Sequence, residues 1–194
     1  FQAQVQKLMI AIGDSKAPEE ALKLRVKLTQ LYLSEGFAVE ALGVLQEIQR
    51  VNSNYYVQQR LAALSGAARF LMYRFQDAAQ DFAMPELQSV QEINYWRSVL
   101  ADLLGAPGQT LDFIAFNEPY ISKYPPTLRQ RMAIVAADRA IAAGNDASGA
   151  SIIETLKDTT LTQELNDYIA FLLARISFNT GKVKEGVETW KGLA

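Results

Sequence analysis

Few residues in this chain have the type and spacing to do chemistry. Two carboxylate pairs, Glu19–Glu20 and Asp77/Asp81, have the spacing that general acid–base hydrolysis uses. Four arginines, Arg60, Arg97, Arg131 and Arg175, recur along the chain, and a guanidinium fork grips carboxylates through paired hydrogen bonds. Scattered arginines also serve simply to keep helices soluble, so both readings stand. Histidine and cysteine are absent. That removes the commonest general base, the Ser-His-Asp arrangement, cysteine nucleophiles, disulfides and thiolate or imidazole metal sites. No glycine loop of the P-loop or dinucleotide type and no acidic calcium loop is present.

The carboxylates have plainer explanations. Glu19 and Glu20 fall in the opening turn of a helix, where acids complement the helix dipole. Asp77 and Asp81 lie one turn apart on a short helix, on a face expected to be solvated, with no apolar pocket to raise a pKa. The chain is therefore read as a non-enzyme, with no cofactor and no metal.

The elements that position these residues are helices. In a chain of 194 residues that is 49% hydrophobic, apolar residues recur at helical spacing and no stretch sustains strand alternation. "ALKLRVKLTQLYL", "RLAALSGAARFLMYRF", "EINYWRSVLADLL", "RMAIVAADRAIAA" and "LNDYIAFLLARISF" are each followed by a second helical run. Those second runs are "FAVEALGVLQEIQ", "FQDAAQDFA", "GQTLDFIAF", "ASGASIIETL" and "KVKEGVETW". The expectation is all-α: ten helices in five antiparallel pairs. The most apolar run, "MAIVAADRAIAA", carries Asp138 and Arg139 and is too short to span a bilayer, so it reads as a core helix and not as a transmembrane segment.

Punctuation is regular. Gly36, Gly144 and Gly181 each stand where a first helix stops, and helix ends favour a residue with positive φ. Gly144 and Gly181 are 37 residues apart, and Tyr73 falls 37 after Gly36. The third pair lacks a clean marker, its turn lying within residues 105–109. Pro18 and Pro126 suit the first turns of their helices. The expected divisions are residues 18–54, 55–90, 91–126, 127–162 and 163–194, with 1–17 as the last helix of a preceding repeat and the array continuing beyond one or both ends.

In its "LYLSEGFAVEALGVL" stretch, with Tyr32, Gly36, Ala41 and Leu45, the chain resembles the tetratricopeptide repeat family. Gly66, Phe75, Ala78 and Phe82 offer a second copy; Ala137, Gly144, Gly149 and Ile153 a fourth; Ala174, Gly181, Gly186 and Trp190 a fifth. Small residues let two helices approach closely and a large neighbour fills the groove so made. Phe82 and Trp190 are expected to contribute through burial. The resemblance implies a right-handed α-solenoid whose first helices line a concave groove. On that register the groove includes Lys23, Gln30, Arg60, Phe70, Asn94, Arg97, Arg131, Asp138, Tyr168, Phe171, Arg175 and Phe178. The carboxylate clamp of some family members is not reproduced: Val26, Gln30 and Leu64 stand where lysine and asparagines are needed. Tyr168, Phe171 and Phe178 either anchor apolar side chains of a ligand or pack against a further repeat.

Function follows as expectation. The resemblance implies a non-enzymatic protein- or peptide-binding module, within a larger protein, acting through that groove; the Ala-rich, Gln-rich style of the sequence reads as bacterial. The alternatives are a spacer that self-associates through its ends, or the helical arm of an envelope enzyme. A net charge of −2 argues against a nucleic-acid partner. Composition leaves cytoplasm, periplasm and envelope open.

Overall fold

The computed structural model describes residues 1–51, 55–105 and 123–193, apart from the side chains of 55–59 and 102. Among the described residues the fold is all-helical, with no strand. The helices are α1 (Gln2–Asp14), α2 (Pro18–Ser34), α3 (Ala38–Val51), α4 (Tyr55–Leu71), α5 (Phe75–Phe82) and α6 (Gln91–Leu103). After them come α7 (Pro126–Ala142), α8 (Asp146–Glu154), α9 (Gln163–Asn179) and α10 (Val183–Lys191). A 3-10 turn at Pro85–Leu87 precedes α6. The expected helix "GQTLDFIAF" lies outside the described residues. No helix among them is long and apolar enough to cross a membrane.

The chain divides after Leu100 into two compact units. In the first, α2 packs on α3 and α4 on α5 as hairpins, while α1 lies on α2 and α3 on α4. In the second, α7 packs on α8 and α9 on α10, with α9 also against α7 and α8. First helices thus run side by side in each unit, α2 with α4 and α7 with α9.

One turn chemistry builds four hairpins. Gly36, Tyr73, Gly144 and Gly181 have φ of 83°, 59°, 80° and 81°. Each donates its N–H to the carbonyl three residues back, at 3.2, 2.9, 3.0 and 3.1 Å. The following residue donates five back: Phe37 to Tyr32, Arg74 to Arg69, Asn145 to Ala140 and Lys182 to Ser177, at 2.8–2.9 Å. This is the Schellman arrangement, and it satisfies carbonyls that the helix end leaves open. Pro18 and Pro126 stand in the first turns of α2 and α7. Asn145 and Thr162 cap α8 and α9 by accepting from the N–H of Ser148 and Leu165.

Counted from each turn residue, the core repeats. Seven before it stand Thr29, Gly66, Ala137 and Ala174; five after it stand Ala41, Ala78, Gly149 and Gly186; all eight are buried. There the two helices of a hairpin cross closely. A Cβ on Gly149 would meet Ile141 Cγ1 at 2.5 Å, and one on Gly186 would lie 3.1 Å from the Ala174 carbonyl. Nine after the turn come Leu45, Phe82, Ile153 and Trp190. The first three are buried, Phe82 beneath Trp96 at 5.3 Å between ring centroids. Trp190 departs from the burial expected of it, at 46% exposed: Phe171 and Phe178 touch it, but no described ring covers it as Trp96 covers Phe82.

Candidate functional site

First helices carry three recurring positions on the face beside the neighbouring first helix. Thirteen residues before the turn these are Lys23, Arg60, Arg131 and Tyr168; ten before, Val26, Ala63, Ile134 and Phe171; six before, Gln30, Ala67, Asp138 and Arg175.

In the first unit this face forms a pocket of about 430 Å³ between α2 and α4, lined by Leu22, Lys23, Val26, Lys27, Gln30, Arg60 and Leu61. Lys23, Gln30 and Arg60, three of the residues that the sequence register assigns to a groove, line this one pocket. Leu22, Val26 and Leu61 make its apolar floor, held from behind by Leu45 and Ile48 of α3. Lys27 was not among the expected residues, although it lies one turn from Lys23, and that spacing places both ammonium groups on one face. Among the described residues Lys23, Lys27 and Arg60 have no ion-pair partner, in contrast to Arg50 with Glu47, Arg69 with Asp81 and Arg74 with Asp77.

In the second unit the equivalent face is closed by its own charges. Arg175 Nη1 donates to Asp138 Oδ1 at 2.5 Å, and the Arg175 guanidinium lies 5.8 Å from the Phe171 ring centre. Phe171 stacks between Tyr168, at 5.9 Å, and Trp190, at 6.0 Å. Burial, and then the Asp138 charge, push the Tyr168 hydroxyl above its ordinary pKa. Arg131 is exposed on α7.

Several expected groove residues lie elsewhere. Phe70 is 3% exposed, packed against Phe75 and Trp96 at 5.4 and 5.2 Å. It stands three residues before its turn, where Leu33 and Ile141 are also buried, on the face that meets its own hairpin partner. Phe178 holds the same position and packs on Trp190 and over Gly186. Arg97 is tied into the structure: Nε donates to the Phe82 carbonyl at 2.7 Å, Nη2 to Met84 O at 3.3 Å and Nη1 to Asn94 Oδ1 at 3.1 Å. The reason is register. Gly105, with φ 79°, follows Tyr73 by 32 residues, so Asn94 and Arg97 stand eleven and eight before it, off the ten-and-six positions.

Three of the four paired carboxylates accept hydrogen bonds from neighbouring side chains. Asp77 accepts from Arg74 at 2.7 Å, and Asp81 from Arg69 at 2.7 Å, linking α4 to α5. Asp81 corrects the expectation of a solvated carboxylate: burial raises its pKa, and hydrogen bonds from Ser65 and Arg69 offset this only in part. Glu20 accepts from Ser15 at 3.3 Å at the start of α2. Against known proteins, the chain matches no family model, no curated protein and no solved structure.

Proposed function

We propose that the chain is a non-enzymatic binding scaffold, a tetratricopeptide-like right-handed stack of helix hairpins that holds a protein or peptide segment against its first helices. The observation that carries this reading is the pocket between α2 and α4, where Lys23, Gln30 and Arg60 meet around an apolar floor. A concave site with an apolar base and a few polar groups around it is the general form of a ligand site. Selection of binders from a displayed random-peptide library tests it. Selected peptides should shift backbone amide resonances of α2 and α4 and lose affinity to Lys23→Ala/Arg60→Ala. Ligands that bind parent and variant alike overturn the reading.

A second reading, association through hairpin ends, is favoured by the exposure of Trp190 at a position where Phe82 is covered. Light scattering across a concentration series should then show growth that Trp190→Ser removes; constant mass at every concentration excludes it.

A further inference from the structure

We infer that the α2–α4 pocket selects an acidic segment with an aliphatic side chain between its carboxylates, an inference that rests on the binding role proposed above. The charge pattern is the first ground. Lys23 and Lys27, one turn apart on α2, repel each other at a cost to the free helix, and Arg60 on α4 faces the same space. Among the described residues no carboxylate pairs with any of the three, although elsewhere in this unit Arg69 and Arg74 each hold an aspartate. Cations gathered without counter-charge favour an anionic ligand and steer it in.

The floor narrows the class of anion. Leu22 and Val26, half-buried over the fully buried Leu61, offer aliphatic surface, of no use to a free inorganic anion but complementary to a leucine- or valine-sized side chain. Gln30 carries both a donor and an acceptor amide at the pocket wall, which suits an extended peptide backbone.

Four fluorescein-labelled probes test this by polarisation at low and physiological salt: an acidic peptide with leucine between glutamates, its glutamine counterpart, its serine-for-leucine counterpart, and oligo-dT. The acidic leucine peptide should bind saturably and more weakly as salt rises. Lys23→Gln, Arg60→Gln or the glutamine peptide should each weaken it by about tenfold, the weight of one charge-assisted hydrogen bond. The serine peptide should bind several-fold more weakly. Equal affinity for acidic and glutamine peptides, unchanged binding by both variants, tighter binding of oligo-dT, or no binding of the acidic peptide overturns the inference. Amide-shift mapping separates it from the reading beneath it. Charge-blind binding that still maps to α2 and α4 removes only the acidic preference, whereas a footprint outside these helices removes both. Lys23 and Arg60 are exposed, and circular dichroism of each variant checks that the fold is intact.

Discussion

Asp138 and Arg175 occupy the same place in successive hairpins of the second unit, six residues before Gly144 and Gly181, and they bond to each other at 2.5 Å across 37 residues of sequence. One repeat offers the carboxylate and the next the guanidinium, so the pair bridges α7 and α9. Both side chains are more than two-thirds shielded from water, where losing one partner costs more than at an open surface. Asp138→Asn should lower the unfolding free energy by about 1–2 kcal/mol. A double-mutant cycle with Arg175→Gln should return coupling of similar size. Additive losses would mean the contact contributes nothing to stacking.

Two glycines on helix interiors separate close approach from simple flexibility. A Cβ at Gly66 would stand 2.7 Å from Cζ of Phe82, itself held beneath Trp96, whereas a Cβ at Gly43 meets nothing within 4 Å. Gly66→Ala should destabilise by about 1–3 kcal/mol through forced repacking. Gly43→Ala should stabilise by about 0.5–1 kcal/mol as α3 loses a flexible residue. Urea midpoints moving the same way for both would contradict the packing described.

Tyr73 performs in the second hairpin the task of glycine in three others. Its φ of 59° is strained for a side chain with a Cβ. Its ring recovers part of that through an edge-on contact with Phe75 at 5.9 Å. Gly181→Ala, with no such contact to gain, should lose about 1–2 kcal/mol. Tyr73→Gly should change stability by less than that, because relief of strain and loss of the ring contact oppose each other. A larger loss at Tyr73 than at Gly181 would show that the ring, and not the turn, sets the energy there.

Acidification should act on Asp81 in a definite sense. Burial holds its carboxyl above the ordinary value of 3.8, so the folded chain binds this proton more tightly than the unfolded chain. The stability so gained is present below the unfolded pKa and lost as pH rises through the raised folded one. Relative to Asp81→Asn, the parent should therefore gain stability as pH falls through that window toward 4. The measurement is the difference in urea unfolding free energy between the two proteins from pH 7 to pH 4. A constant difference, or one that shifts against the parent on acidification, refutes the assignment.

Much of this architecture was legible because one turn recurs. The need for positive φ selects glycine, so Gly36, Gly144 and Gly181 reveal their helix ends, and period alone identifies Tyr73 as their equivalent. Small residues at fixed distances from those turns then mark where the helices cross. Where the register holds, Lys23, Gln30 and Arg60 fall beside one pocket; where it slips, the expected positions no longer match. Gly105 arrives early, and Arg97 bonds the Phe82 and Met84 carbonyls while Asn94 accepts from Arg97. Phe70 was misplaced for a different reason. An aromatic at helical spacing reads alike on either side of a helix that packs on two neighbours, and only the buried Leu33 and Ile141 at its position reveal which side it takes. Lys27 stands nine residues before Gly36, off the thirteen, ten and six positions of the expected register, yet its i, i+4 spacing from Lys23 brings it to the same pocket.

The two tryptophans provide the sharpest contrast, since each unit holds one and each packs with aromatic rings. Trp96 is 2% exposed, between Phe70 and Phe82. Trp190 lies parallel to Phe171 with nearly half its surface in water. Removing a buried indole costs both transfer free energy and a cavity, so Trp96→Ala should lose about 3–5 kcal/mol. Trp190→Ala forfeits ring contacts and partial burial only, about 1–2 kcal/mol. Fluorescence of the remaining tryptophan and circular dichroism should follow unfolding in each variant. If Trp190→Ala proves as costly as Trp96→Ala, and the cost grows with protein concentration, the α10 face is covered in solution by a second copy. The same cost independent of concentration would contradict the exposure described for this face.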